Sequence, residues 1–387
     1  MNAVIEPRLL SGSVTPPPSK SQAHRVLMAQ MLAGGGKISG LQTSEDIEAT
    51  RRCLAALREP GEGLPELDCG ESGSTLRFLI PTALALRGGG RFTGRGRLME
   101  RPLKPYFDMF DRQGIRWQRE GQTLTVEGTL RAGTFSLPGN VSSQFVTGLL
   151  FALPLLAGDS VIELTCELES KGYADMTLQA LRAFGVRAEN RDYRQFFVPG
   201  GQTYVPHDVT VEADWSQAGF WYAAAALGGA VETCGMNEAS AQGDRILVTH
   251  ARALAEPGDR EIDISDCPDL LPPLAVMAAV RQGRTAFVNG ARLRMKESDR
   301  LASVCAMLRA LGGIAEEGED SLLVTGRETL EGGTVDGAND HRIVMAAAVA
   351  AQRCKKPVVI TGAQAVNKSY PDFFEVYRSL GGMFRVI

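Results

Sequence analysis

The sequence predicts an α/β protein of two duplicated domains, and three observations carry that prediction. Six times an apolar, alanine-rich run breaks at a turn and continues as a strand of β-branched residues. The six are LMAQMLAGGGKISG, IPTALALRGGGRFTG, LLFALPLLAGDSVIEL, WYAAAALGGAVETCG, AVMAAVRQGRTAFVNG and AAVAAQRCKKPVVITG. They close at Gly40, Gly94, Leu164, Gly235, Gly290 and Gly362, so the last three trail the first three by 195, 196 and 198 residues. So constant an offset marks two halves of three units each, with one cleft between them. At 387 residues the chain is also too long for one ordinary core.

The elements follow in order. The six helix starts read SKSQAHR, ESGSTLR, NVSSQF, ADWSQAG, DCPDLL and NDHRIVM. Each offers Ser, Asp or Asn where a side-chain oxygen can accept from the first free amides. One half runs from about Lys20 to Val211 and the other from about Asp214 to the C-terminus. The strand before Thr15-Pro16-Pro17-Pro18 is expected to join the second half, which otherwise lacks a partner for its last unit. The expected domains are therefore 1–17 with 213–387, and 18–212. Two adjacent crossings between rigid domains predict a hinge.

Three of the helix starts carry arginine in their first turns: Arg25, Arg77 and Arg342. A cation beside the positive end of a helix dipole is unfavourable unless an anion is shared with it. One such arginine reads as a solvated surface charge; three at equivalent repeat positions point to a site that collects phosphates or carboxylates.

Composition narrows the class. The formal charge of −4 argues against a general nucleic-acid or membrane surface, so a positive field must be local. No apolar signal core follows Met1, and no run of about 18 apolar residues could span a bilayer. Seven scattered cysteines without C-x-x-C spacing fit reduced thiols of a cytoplasmic protein. Among the four histidines none pairs at metal-ligand spacing, so no metal is expected.

The chemistry must come from polar clusters between the repeats. Lys20 and Ser21 precede the first helix and Arg25 lies one turn in, within reach of one ligand. Gly70-Glu71-Ser72-Gly73-Ser74-Thr75-Leu76-Arg77 has glycines that let amides approach an anion, though a plain turn before a helix reads as well. It lacks the Walker lysine and the Rossmann spacing. Ser142-Ser143 reads first as a cap. Arg292-Leu293-Arg294-Met295-Lys296-Glu297-Ser298-Asp299-Arg300 packs four cations and two acids into nine residues, and as a surface run should be a helix. Lys296 and Arg300 repel at i,i+4, whereas Glu297 and Arg300 can share a face. Asp269, just before an apolar helix, reads by default as an N-cap. Asn339-Asp340-His341-Arg342 and Lys368-Ser369-Tyr370 add cations near helix starts.

Taken together, PSKSQAHR, GESGSTLR, MERP, VSSQF, ESKGYADMT, MKESDR, NDHR and NKSYPDFF resemble, in order and spacing, the motifs of the 5-enolpyruvylshikimate-3-phosphate synthase family, over about Ser11 to Phe374. The resemblance implies an enolpyruvyl transferase fold of six βαβαββ repeats, with threefold pseudo-symmetry in each domain. It implies transfer of the enolpyruvyl group of phosphoenolpyruvate to the 5-hydroxyl of shikimate 3-phosphate, by a cytoplasmic monomer that needs no cofactor. Carried over by position, it implies that Lys20, Ser21, Arg25, Ser142, Ser143, Ser170, Tyr173, Asp269 and Lys296 bind shikimate 3-phosphate. Lys20, Gly73, Arg101, Gln144, Arg300, Arg342 and Lys368 would meet phosphoenolpyruvate. Asp269 would take the hydroxyl proton, and Glu297, alone or with Lys20, would handle the proton at the enol carbon.

Some positions depart from the family's pattern. Arg292 replaces a frequent Asn, Phe78 a frequent Pro, and Ser72-Gly73-Ser74 the commoner Ala-Gly-Thr. The loops at 59–66 and 256–261 are short. Gly73 suggests room for the phosphonate inhibitor glyphosate. The sister UDP-N-acetylglucosamine enolpyruvyl transferases place a reactive cysteine in a first-domain loop, and no cysteine lies between Cys69 and Cys166 here. RNA 3′-phosphate cyclases, of related fold, are disfavoured by the acidic chain without a basic stripe. A catalytically inactive anion-binding paralogue could dispense with Asp269, Glu297 and Lys20, all of which are present.

Overall fold

A computed structural model describes all 387 residues, Met1–Ile387. The chain divides into a contiguous unit, Pro18–Glu212, and a discontinuous one, Met1–Pro17 with Ala213–Ile387. Each has its own apolar core.

The contiguous unit carries three helix pairs: α1 (Lys20–Ala33) with α2 (Glu45–Arg58), α3 (Gly73–Arg87) with α4 (Lys104–Gln113), and α5 (Ser143–Ala152) with α6 (Lys171–Ala183). The discontinuous unit carries three more: α7 (Trp215–Ala226) with α8 (Leu247–Ala255), α9 (Leu271–Ala279) with α10 (Arg300–Ala310), and α11 (His341–Ala350) with α12 (Phe373–Ser379). The side chains of Ser19, Ser72, Ser142, Asp214 and Asp340 cap α1, α3, α5, α7 and α11, each accepting from an amide two or three residues on. Glycine ends α1 and α3: Gly34 and Gly88 take the left-handed conformation that closes a helix without a Cβ clash.

Four repeats share one sheet topology. Two parallel strands are followed by two antiparallel ones, which in three of the repeats form a hairpin whose second strand lies inside and whose first forms the edge, and in the fourth are the two ends of the chain. Thus Glu66–Asp68 runs parallel to Gly89–Thr93, which pairs antiparallel with Thr123–Glu127, with Arg116–Glu120 outermost. The same order recurs for Thr134–Leu137, Ser160–Leu164, Gln195–Val198 and Glu189–Arg191. It recurs again for Arg260–Asp263, Arg284–Val288, Leu322–Thr325 and Ile314–Glu317. In the fourth sheet Gly333–Asp336 and Val358–Thr361 are joined by the N-terminal strand Ala3–Ile5, with Phe384–Val386 at the edge. The remaining two repeats are cut down to parallel pairs, Ile38–Ser39 with Val209–Thr210 and Ala230–Thr233 with Ser11–Val14. The complete βαβαββ unit implied for all six is therefore present in four; the two reduced repeats are those with the short loops 59–66 and 256–261.

Close packing of α3 on α5 brings the first polar cluster together. Pro81 inside α3 has no amide for the carbonyl of Arg77, and the Tyr106 hydroxyl donates to that carbonyl at 2.8 Å instead. Gly148 on α5 faces the same point, where a Cβ would collide with the Tyr106 hydroxyl and the Arg77 carbonyl.

Candidate active site

In the contiguous unit the starts of α1, α3 and α5 are joined through their side chains. Arg25 is buried and fully bonded: Nε donates to the Thr177 hydroxyl at 2.9 Å, Nη1 to the Ser21 carbonyl at 2.7 Å, and Nη2 to Thr147 and the Tyr173 carbonyl at 3.2 and 3.0 Å. Its guanidinium lies 5.6 Å from the Tyr173 ring centre. None of these partners is a carboxylate, and burial pulls the Arg25 pKa down to about 10. Lys20 pairs with Asp46 of α2 at 2.8 Å. Arg77 Nη1 donates to Gln144 at 2.8 Å, Nη2 to the Pro102 carbonyl at 3.1 Å, and Gln144 donates onward to Ser74 at 3.0 Å. Arg101 stands over Gly73 beside Arg77, with its buried Nε unpaired. Two guanidiniums at one helix start are a charge arrangement suited to an anion.

Behind this cluster His24 bonds Thr50 at 2.7 Å, Thr50 bonds Thr75 at 2.6 Å, and Thr75 donates to Ser72 at 2.7 Å. Burial, then Lys20 and Arg25, hold His24 well below its ordinary pKa, so it is a neutral strut linking α1, α2 and α3.

The discontinuous unit gathers acids as well as bases. Asp269 accepts from Arg300 at 2.6 Å and from Arg342 at 2.9 Å, and Lys296 lies 3.6 Å away. Arg300 also pairs with Glu297 at 2.6 Å and with Asp340 at 2.8 Å. Burial opposes the charge of Arg300, but Asp340, Glu297 and Asp269 outweigh it and hold its pKa well above the ordinary value. Lys296 goes the other way: burial, reinforced by Arg300 and Arg292 and only partly offset by Asp269, lowers it to about 8. Arg342 reaches the Ser216 hydroxyl at 3.3 Å, and Ser216 bonds Asp244 at 2.8 Å. Burial, then repulsion from Asp269, pushes Asp244 up to about 7. Lys368 donates to the Asn339 carbonyl at 2.7 Å. One carboxylate, Asp244, and one lysine, Lys296, tuned toward neutrality beside fixed guanidiniums, are equipped for general acid–base work on an anionic substrate.

A family model for EPSP synthase (3-phosphoshikimate 1-carboxyvinyltransferase) matches residues 4–377. The chain belongs to the EPSP synthase family. Among curated relatives, the 3-phosphoshikimate 1-carboxyvinyltransferase of Clostridium kluyveri is 45% identical, covering 98% of this chain and 97% of its own. That of Clostridium perfringens strain 13 is 43% identical over 99% of both. The EPSP synthase structure from Acinetobacter baumannii matches all of both chains with a TM-score of 0.79 at 23% identity, a shared fold. This chain is accordingly a transferase, and the reaction of its family passes the enolpyruvyl group of phosphoenolpyruvate to shikimate 3-phosphate.

Most residues implied by the resemblance to this family fall in one of the two clusters. Ser142 caps α5 while Ser143 is buried in its first turn. Ser170 precedes α6 in a left-handed conformation at φ 58°, unusual for serine and a mark of imposed local geometry. Arg25, Arg77 and Arg342 are each at most 4% exposed, which removes the surface-charge reading. Two expectations need correction. Asp269 caps no helix, because it lies in a short 3-10 turn at Pro268–Leu270 and turns its carboxylate to three cations. The 292–300 run is not a helix either: Ala291–Met295 is a 3-10 turn and α10 starts only at Arg300, capped by Asp299. That break lets Lys296, Glu297 and Arg300 converge rather than space along one face. Arg292 is buried, with Nη2 donating to the Ser265 carbonyl at 2.5 Å.

Sequence reasoning missed Asp340, Asp46, Asp244 and Ser216. Asp340 stood inside the NDHR motif, and its position as N-cap was a usable signal. Asp46 read as one more acid in a first turn, and only folding brings it to Lys20.

Proposed function

We propose that the chain transfers the enolpyruvyl group by addition and elimination, with its two clusters dividing the work. Lys20, Ser21, Arg25, Ser142, Ser143, Ser170 and Tyr173 take shikimate 3-phosphate, whose phosphate supplies the counter-charge that Arg25 lacks among its protein partners. Arg101, Gln144 and the Gly73 turn, with Lys20, Arg300, Arg342 and Lys368, take phosphoenolpyruvate. Asp269, with Lys296, removes the proton from the attacking hydroxyl as the new C–O bond forms. Glu297, alone or with Lys20, delivers a proton to the methylene carbon. The resulting tetrahedral adduct carries carboxylate and phosphate, which fixed arginines stabilise better than water can. Reversal of the proton transfers expels phosphate and regenerates the double bond. Acid–base chemistry suffices for each step, so the reading includes no cofactor, and it takes the protein as a cytoplasmic monomer.

The observation that best supports it is the Asp269 carboxylate between Arg300, Arg342 and Lys296, with Glu297 on the same Arg300. Phosphate release from phosphoenolpyruvate, with and without shikimate 3-phosphate, tests it on wild type and Asp269→Ala. Release that needs both substrates and collapses in the variant is expected; release that survives Asp269→Ala removes the assignment of the base.

A further inference from the structure

The reduced repeat of α1 and α2 leaves a space that four other repeats fill. Between the end of the second helix and the next repeat's first strand, the α4, α6 and α10 repeats have 20, 25 and 22 residues, which hold the hairpin. After α2 there are seven, Glu59–Pro65, and no hairpin. Where the hairpin exists, its inner strand buries two alternate apolar side chains completely: Leu124 and Val126, Phe196 and Val198, Leu322 and Val324. The N-terminal strand does the same with Ala3 and Ile5. The inner strand packs on the first helix of its pair, as Thr123–Glu127 does on α3 and Leu322–Thr325 on α9.

At the equivalent place on α1 and α2 the structure has an open groove of about 440 Å³. Leu27 and Met31 of α1, Leu54 and Ala55 of α2, and Ile38 and Leu41 line it. Arg51 and Arg58 of α2, both exposed, stand on its lip. Beside it runs Ile38–Ser39, paired on one side with Val209–Thr210 and with no strand on the other. An open strand edge next to an apolar trough is the arrangement that accepts an added strand.

We propose that this groove docks an extended segment of a partner protein, laid antiparallel along Ile38–Ser39, with apolar residues at alternate positions and acidic residues flanking them. The internal repeats argue for a strand as the occupant, since the molecule fills this same place with a strand four times. The two arginines argue for acidic flanks. The groove lies between the helix that carries Lys20 and Arg25 and the helix that carries Asp46, so an occupant would bear on the Lys20–Asp46 pair.

The chain's own inner strand supplies the probe: a labelled synthetic peptide of residues 319–326, EDSLLVTG, has the required apolar pair and acidic flank. Fluorescence anisotropy with the full-length protein is expected to show saturable binding. Changing the Leu322 and Val324 positions of the peptide to Ser should abolish it. The exposed double substitution Arg51→Glu/Arg58→Glu, read by circular dichroism to be folded, should weaken it at least about tenfold, and Ala55→Trp should block it. No saturable binding, binding unaffected by the serine peptide, or binding indifferent to both protein variants would overturn the proposal. As a second readout, grafting residues 313–326 between Glu62 and Gly63 should raise Tm and remove peptide binding. A folded graft that still binds the peptide counts against it.

Discussion

Replacing Asp340 by asparagine separates its two duties. The carboxylate is completely buried; one oxygen accepts from Arg300 Nε at 2.8 Å and Ser298 at 3.0 Å, while the other caps α11 at the Arg342 amide, 3.0 Å away. Asparagine caps a helix nearly as well as aspartate, so α11 should persist. What is lost is the negative charge against Arg300, and the new amide group faces two donors. Removing one partner of a buried pair costs about 3–5 kcal/mol. Arg300 keeps Asp269 and Glu297, both partly exposed, so the cost falls to the bottom of that range or just under it, about 2–3 kcal/mol. For a unit of this size each kcal/mol shifts Tm by about 2–4 °C, which gives a fall of about 4–12 °C. A guanidinium no longer held on one side also displaces Asp269 and Glu297, and misplacement of about 1 Å can cost about a hundredfold in kcat. Thermal unfolding and steady-state phosphate release on the same preparation check both numbers. A Tm within about 1 °C of wild type together with unchanged kcat would refute the view that Asp340 anchors this cluster.

Further outcomes follow from the same geometry. A methyl group at Gly73 would stand 2.5 Å from Arg101 Nη1, 2.8 Å from its Cζ and 2.9 Å from Arg77 Nη1. These are ends of flexible side chains, so Gly73→Ala should fold but raise KM for phosphoenolpyruvate about tenfold and weaken glyphosate inhibition; equal inhibition of both forms would sink the idea. Arg25→Lys keeps the charge but cannot hold four bonds on three segments, so KM for shikimate 3-phosphate should rise at least about tenfold, with kcat less affected. Because its pKa is lowered to about 8, Lys296 is a cation below that pH and loses its charge above it. KM for shikimate 3-phosphate should therefore climb on the alkaline side, and Lys296→Arg should flatten that limb; a profile identical to wild type would exclude Lys296 as its source.

Much of the architecture was legible because repetition is periodic in sequence. All six helix-to-strand runs fold as such, from Lys20–Ala33 into Ile38–Ser39 through to His341–Ala350 into Val358–Thr361. Caps were legible too, since Ser19, Ser72, Ser142, Asp214 and Asp340 act locally. The misreadings came where tertiary charge overrides local preference. Asp269 has the position of a cap but finds three cations, and Lys296 leaves helical geometry because Asp269, Glu297 and Arg300 can then meet. The absent hairpins were visible only as short loops, 59–66 and 256–261. That shortness became a groove only once the other repeats showed what normally fills it.

The two clusters differ in how they satisfy buried arginine, and the difference fits the proposed division of labour. Arg300 is held by three carboxylates and its charge is strengthened by them. Arg25 is held only by hydroxyls and carbonyls, and burial weakens its charge. A buried guanidinium with neutral partners is oriented but not neutralised, so it retains more of its attraction for an anion than one already paired with three carboxylates. The contiguous unit is thus suited to drawing in a phosphate, whose arrival completes the electrostatics of Arg25. The discontinuous unit already holds the acids and bases that a proton transfer needs, positioned before substrate comes. Preorganised dipoles and charges of this second kind lower a barrier because they need not reorient as charge develops. Carboxylates beside Arg25 would relieve its burial at the expense of the phosphate, and neutral groups beside Arg300 would leave the reaction without a base. On the proposed division of labour, each half carries the compensation that its own step would require.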